Sequence, residues 1–196
     1  MTELPRLRPH DFAGFVRLAA GLDESESARL GYAELFEFVS SQLELQPGNA
    51  VLAALPRWIG VHFSARGWAW NGYYRLRPAG EALDLGHAWG PPVCTPLERR
   101  GEILTSGMCW DSMISNQCLL ATDVSTWPGY VSCDGTSGLA TASGLVCPIR
   151  NASGQPIGVW DLDAKQALNH ADARAMDALF SALARVLPIE STDLGS

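Results

Sequence analysis

The sequence contains no Cys-x-x-Cys pair, although five cysteines stand at positions 94, 109, 118, 133 and 147. Their successive gaps of 15, 9, 15 and 14 residues fit neither a zinc ribbon nor a thioredoxin motif, so no metal site is expected. Long apolar runs are missing too: the longest, Ala50 to Leu55, is far short of the roughly 18 residues that a membrane-spanning helix needs. The opening MTELPRLRPHDF lacks the apolar stretch of a signal peptide, and the expectation is a cytoplasmic protein with no membrane partner. Positive charge is scarce. With 14 Lys and Arg against 21 Asp and Glu the net charge is −7, and no basic cluster is longer than Glu98-Arg99-Arg100. That balance argues against nucleic acid or an anionic membrane as the main partner. A Ser/His/Asp triad has little support from four His, none near a Gly-x-Ser-x-Gly motif.

What is present suffices for one core. The 196 residues lie within the usual size of one domain, roughly 100–200 residues. An apolar fraction of 47%, a charged fraction of 18% and seven Trp are incompatible with a disordered chain. An odd number of cysteines without a signal sequence disfavours a structural disulfide framework. The thiols are then either inert and buried or redox-active.

Pro5, Pro9 and the acidic Asp23-Glu24-Ser25-Glu26 mark residues 1–26 as a loosely held arm with one short helix around Asp11 to Leu22. From Ser27 the apolar positions Leu30, Ala33, Leu35, Phe36, Val39 and Leu43 recur at helical spacing until Gln46-Pro47-Gly48. A second helix is expected from Asn49, as cap, to Leu55, where Pro56 interferes. Strands are expected at Trp58 to Ser64, Trp70 to Arg77 and Leu83 to Trp89, the latter two as a hairpin across Pro78-Ala79-Gly80. Between Gly90 and Ser143 the chain is mostly irregular, with a helix at Trp110 to Asn116 and a short strand at Gln117 to Thr122; so long an irregular stretch is more often functional than idle. A hairpin follows, Leu145 to Ile149 with Ile157 to Leu162. Asn169 and Asp172 then open a closing helix that Pro188 ends. The order of elements describes an α+β fold, a central antiparallel sheet flanked by N- and C-terminal helices. Residues 27–188 form one domain and 189–196 a flexible tail.

Two places carry chemistry. On a strand over Ile157 to Asp163, Asp161 and Asp163 point the same way beside apolar neighbours. Two adjacent carboxylates oppose each other's ionisation unless a cation sits between them. They either emerge into solvent or receive a ligand ammonium, such as that of a free amino acid. Cys133 lies between Gly129 and the Gly135 to Gly138 region, where backbone amides can approach a ligand and lower a thiol pKa, while Asp134 pulls the other way. A nucleophilic thiolate attacking a sulfoxide sulfur becomes a sulfenic acid, which a second cysteine within reach converts to a disulfide.

Four blocks carry a resemblance. Leu85-Gly86-His87-Ala88-Trp89-Gly90-Pro91-Pro92-Val93-Cys94, Ser106-Gly107-Met108-Cys109, Asp123-Val124-Ser125-Thr126-Trp127-Pro128-Gly129-Tyr130-Val131-Ser132-Cys133 and Gly158-Val159-Trp160-Asp161-Leu162-Asp163 resemble, in order, segments of the GAF-domain free methionine-(R)-sulfoxide reductases. The step from Cys109 to Cys133, 24 residues, matches the family interval. The resemblance implies a GAF fold and reduction of free methionine-(R)-sulfoxide, or of a similar small molecule, with no cofactor. It implies Cys133 as nucleophile, Cys94 and Cys109 as candidate resolving thiols, a thioredoxin-like reductant and a homodimer. Asp161 and Asp163 would engage the substrate ammonium, with Asp123 among the substrate-binding residues. Trp70 and Tyr74 would wall the methyl-sulfoxide end, a competing register being Trp58 with His62. Cys118 and Cys147 match no family cysteine and read as buried hydrophobes.

The chain also departs from that pattern. A family Glu that contacts the ammonium aligns with Gly144, the Cys94 to Cys109 segment is several residues longer, and Trp110 and Tyr130 replace a Gly and a His. These departures motivate a second expectation, a stand-alone GAF module that binds a small ligand or senses redox state without turnover.

Overall fold

Alternation along the longest strands sets the architecture. The computed structural model describes residues 7–133, 138–187 and 189–195. Six strands, β1 (Trp68–Leu76), β2 (Ala82–Trp89), β3 (Leu97–Glu98), β4 (Leu119–Ala121), β5 (Ser143–Arg150) and β6 (Pro156–Ala164), pair antiparallel in the order β3-β2-β1-β6-β5-β4. On β6, Trp160 and Leu162 are fully buried in the larger apolar cluster, together with Leu145, Cys147 and Ile149 of β5 and Tyr73 of β1. Their neighbours Val159, Val146 and Tyr74 belong to a separate cluster on the opposite face. Successive side chains on a strand point to opposite sides, so one sheet serves two layers.

The first layer is helical. It contains α1 (Phe12–Ala19), α2 (Glu24–Arg29), α3 (Tyr32–Leu45), α4 (Gly48–Phe63) and the long α6 (His170–Val186). α6 starts as its sequence predicts: Asn169 accepts from the amides of Ala171 and Asp172, and Asp172 accepts from the Asn169 amide. Asp172 is nearly inaccessible and also receives the Tyr32 hydroxyl and the Arg66 guanidinium. That network ties the start of α3 and the end of α4 to α6. α5 (Met108–Ser115) lies on the other face of the sheet, where it packs against β5 and β6.

Several expectations need correction. Trp58 to Ser64 is not a strand: α4 runs from Gly48 through Pro56 to Phe63, and Asn49 does not cap it. Leu52, Leu55, Ile59 and Phe63 are all buried on one side of this helix, and their packing outweighs the hydrogen bond that proline cannot make. The Pro56 carbonyl is used by the sheet, accepting from Asn71 Nδ2 at 3.0 Å. Gly60 lets α4 lie against β2, because a Cβ there would fall 2.0 Å from the Trp89 ring. The helix expected across Ser27 to Leu43 is interrupted at Gly31, whose φ of 80° ends α2 and begins α3.

The domain boundaries also differ. Phe12 and Val16 are wholly buried against α3 and α6, so the described part of the arm belongs to the core. The expected flexible tail is packed as well: Ile189 and Leu194 are buried, and the turn Ser191–Leu194 lies across β1 and α4. Pro5, residues 134–137 and Pro188 lie outside the described residues. Among the described residues no helix is long and apolar enough to cross a membrane.

Candidate active site

The sheet face opposite the helical layer, α5 and two long connections enclose a cavity of about 190 Å³. Tyr74, Cys94, Cys109, Cys133, Asp161 and Asp163 all line it. Strand alternation delivers the two carboxylates together, as expected from the Ile157 to Asp163 pattern. β1 delivers Tyr74 two strand positions from Gly72, which pairs with Asp161.

The loops are held by buried polar groups around α5. Asp111, fully inaccessible, accepts from the Leu104 amide at 2.5 Å and from Trp127 Nε1 at 2.7 Å. One side chain therefore fixes the segment before Cys109 and the segment before Cys133. Trp110 Nε1 donates to the Leu97 carbonyl at 3.0 Å, and the Tyr74 hydroxyl donates to the Cys94 carbonyl at 2.8 Å. Neutral Tyr74 is favoured, since burial and the nearby Asp161 push its hydroxyl pKa up.

Cys94 and Cys133 are joined by a disulfide, with Cα atoms 5.4 Å apart. Cys109 is a free thiol near the start of α5, and its Sγ donates to Asp161 Oδ2 at 3.4 Å. Burial, with Asp161 and Asp163 nearby, pushes the Cys109 pKa well up, so it stays protonated at neutral pH. Asp161 is itself pushed up to about 6, chiefly by burial, while the Cys109 hydrogen bond pulls it down. A carboxyl group that changes charge at about pH 6 and a donor thiol thus share the cavity.

Other expected residues are placed differently. Trp70 is buried behind the wall rather than on it, its ring 6.0 Å from that of Tyr74 and packed against the backbone of Gly90. Asp123 is exposed, is not among the residues lining the cavity and caps a turn, accepting from the Ser125 amide and hydroxyl at 2.9 and 2.6 Å. Its short side chain is consumed by the local turn at Val124–Thr126. Trp58 and His62 stack on each other at 3.8 Å on α4, in the helical layer. Cys147 is fully buried on the helical face, its thiol pKa raised by that burial, and Cys118 is half-buried nearby. Glu98, Arg100 and Gly144 also line the cavity. The first two carry no motif in the sequence, and only the fold brings their segment to the cavity. Among the described residues no group of three or more His, Cys, Asp or Glu could hold a metal ion.

Fold and cavity together define a small α+β domain with a single-sided, thiol-lined pocket, and the comparisons place it. The chain belongs to the GAF-domain family: it is 30% identical to a GAF sensor candidate from Burkholderia vietnamiensis, over 82% of this chain and 95% of that one, with a TM-score of 0.67. It is similar to the free methionine-R-sulfoxide reductase of Saccharomyces cerevisiae, 27% identical over 113 residues, or 56% of this chain. That match covers 58% of the yeast protein, so the chain spans little more than half the length of the curated relative it matches. The free methionine-R-sulfoxide reductase of Neisseria meningitidis, solved in complex with its substrate, shares the fold with a TM-score of 0.61 at 20% identity, over 94% of this chain and 95% of that one. No protein-family model matches.

Proposed function

We propose that this chain reduces free methionine-(R)-sulfoxide to methionine by thiol chemistry at Cys133. The observation that carries the reading is the Cys94–Cys133 disulfide in the wall of a cavity that also holds Asp161 and Asp163. Likeness to the yeast reductase supports it.

The steps balance as follows. Cys133 Sγ attacks the sulfoxide sulfur, the oxygen passes to Cys133 as a sulfenic acid, and methionine leaves with its sulfur reduced by two electrons. Cys94 then attacks the sulfenic sulfur, water departs, and the disulfide forms. A thioredoxin-like dithiol restores both thiols and is itself oxidised. No cofactor takes part. Asp161 and Asp163 receive the substrate ammonium, which favours their ionised forms. Tyr74 presents its ring to the methyl-sulfoxide end, with Trp70 supporting it from behind. Cys109, held protonated, sets the charge of Asp161 and serves as a reserve thiol. The protein acts in the cytoplasm as a homodimer.

The test is the full-length Cys133→Ser protein with reduced thioredoxin and free methionine-(R)-sulfoxide. Loss of sulfoxide-dependent thioredoxin oxidation is the expected result, and unchanged turnover overturns the assignment. A second reading, a ligand-binding or redox-sensing GAF module without turnover, draws on the Burkholderia likeness. It is selected if the wild-type protein binds methionine yet reduces no sulfoxide.

A further inference from the structure

Two cysteines stand outside the cavity, and the strand register brings them together. Leu119 pairs with Val146, Leu120 with Leu145 and Ala121 with Gly144. Continued by one residue, that register sets Cys118, which directly precedes β4, opposite Cys147 of β5. Both lie on the helical side of the sheet: Cys147 belongs to its buried cluster, and Cys118 packs against that cluster. Directly opposed residues of an antiparallel pair hold their Cα atoms about 4.5–5.5 Å apart, within the range of roughly 4.4–6.8 Å over which a disulfide closes. The two thiols are in hydrogen-bonding reach: burial raises the Cys147 pKa most, and the bond with Cys118 raises it further. The pair is asymmetric, since Cys147 is inaccessible while Cys118 is half-buried, its Sγ 3.8 Å from the Ala173 carbonyl of α6. The residues before Cys118 are anchored from two sides. Arg150, on the same strand as Cys147, donates to Asn116 Oδ1 and to the Asn116 carbonyl, both at 2.8 Å, and Ser112 Oγ donates to the Gln117 carbonyl at 2.8 Å.

We propose that Cys118 and Cys147 form a second redox pair, which a hydroperoxide closes into a cross-strand disulfide that clamps β4 to β5. Cys118 Sγ, the accessible member, attacks a peroxide oxygen; the O–O bond breaks, water leaves, and Cys118 becomes a sulfenic acid. Cys147 Sγ then attacks that sulfur; the S–O bond breaks, and the oxygen departs with the Cys147 proton as a second water. The two thiols together supply the two electrons that reduce one peroxide. The clamp matters because β4 is an edge strand of three residues. The chain that follows it supplies Val124, Tyr130, Val131 and Cys133 to the cavity wall. Cross-linking residues 29 positions apart also removes entropy from the unfolded chain, so the closed form is the more stable one. The pair lies across the sheet from Cys109 and Asp161 and takes no part in sulfoxide reduction, so it stands apart from the function proposed for the cavity.

The test starts from the full chain, reduced with dithiothreitol, desalted and treated with hydrogen peroxide. Alkylation with iodoacetamide and peptide mass spectrometry then map the cysteines. A linked Cys118–Cys147 peptide is expected, separate from the Cys94–Cys133 peptide and lost again on adding dithiothreitol. In Cys118→Ser that peptide should be missing and Cys147 recovered as the alkylated thiol, with closure of Cys94–Cys133 unchanged. The clamp itself is read in Cys94→Ser/Cys133→Ser protein, which cannot form the cavity disulfide: peroxide should raise its melting temperature by about 5 °C or more over the reduced form. Full closure of Cys94–Cys133 with Cys118 and Cys147 both recovered as thiols overturns the pair. So does oxidation of Cys118 to a sulfinic acid without linkage, or a linked peptide with no rise in melting temperature. The mapping of the unsubstituted chain depends on no variant folding.

Discussion

The thiol of Cys109 donates to Oδ2 of Asp161 at 3.4 Å on the floor of the cavity. This contact couples two groups that burial drives the same way, toward their neutral forms. The hydrogen bond favours ionised Asp161, but not enough to restore the usual carboxylate range. Asp161 therefore changes charge at about pH 6 rather than in the usual carboxylate range.

One consequence is a pH-dependent affinity. An ammonium ligand needs Asp161 ionised, and the empty site titrates at about 6. Affinity for methionine should be level above that pH and fall as pH drops through it, approaching about ten-fold per pH unit. Titration calorimetry across this range checks it; a flat profile would show that Asp161 does not meet the ammonium. Removing the donor in Cys109→Ala should move the inflection to higher pH.

Stability responds in the opposite sense. The folded pKa of Asp161 is raised above its unfolded value, so folding is favoured while the group is protonated and loses that support as pH rises. Asp161→Asn should thus stabilise the protein at neutral pH by up to about 3 kcal/mol, with the gain appearing between about pH 4 and 6 and absent in stronger acid. Urea unfolding at a series of pH values measures this. The same variant should bind methionine at least about ten-fold more weakly.

The Cys94–Cys133 link predicts a split between one turnover and many. Cys94→Ser should release close to one methionine per chain and then stall, with Cys133 trapped as a sulfenic acid that dimedone labels in mass spectra. Continued cycling in this variant would transfer the resolving role to Cys109.

Truncating the buried network at Asp172 should be costly. Asp172→Ala leaves the Tyr32 hydroxyl and the Arg66 guanidinium without their shared acceptor and removes half of the α6 capping box. About 3 kcal/mol of stability should be lost, at the lower end for a broken buried pair because Arg66 is partly solvated. Chemical denaturation reads the loss, and methionine binding well below the melting temperature should survive.

Much of this was legible in the sequence where local chemistry and burial agree. The Asn169 and Asp172 box, the β5–β6 hairpin and the shared side of Asp161 and Asp163 all follow from spacing alone. Trp58 to Ser64 misled because its Trp, Ile, Val and Phe suit a strand, and Pro56 discourages a helix. The deciding term was packing of Leu55, Ile59 and Phe63 into one buried stripe, which depends on the sheet beneath. Asp123 is taken up by a local turn, its hydrogen bonds closing within two residues. Glu98 and Arg100 carry no motif, and only the fold brings their segment to the rim of the cavity.

β6 carries Trp160 and Leu162 toward the helical layer and Asp161 and Asp163 toward the cavity. Odd and even positions of this strand therefore serve two different purposes, ligand charge and mechanical cohesion, written into the same few residues. Inserting or deleting one residue between Gly158 and Trp160 would exchange the two sets at once, burying two carboxylates among aromatic rings and turning an indole toward the sulfurs. Point substitutions can vary either set independently, whereas a change of length can preserve neither.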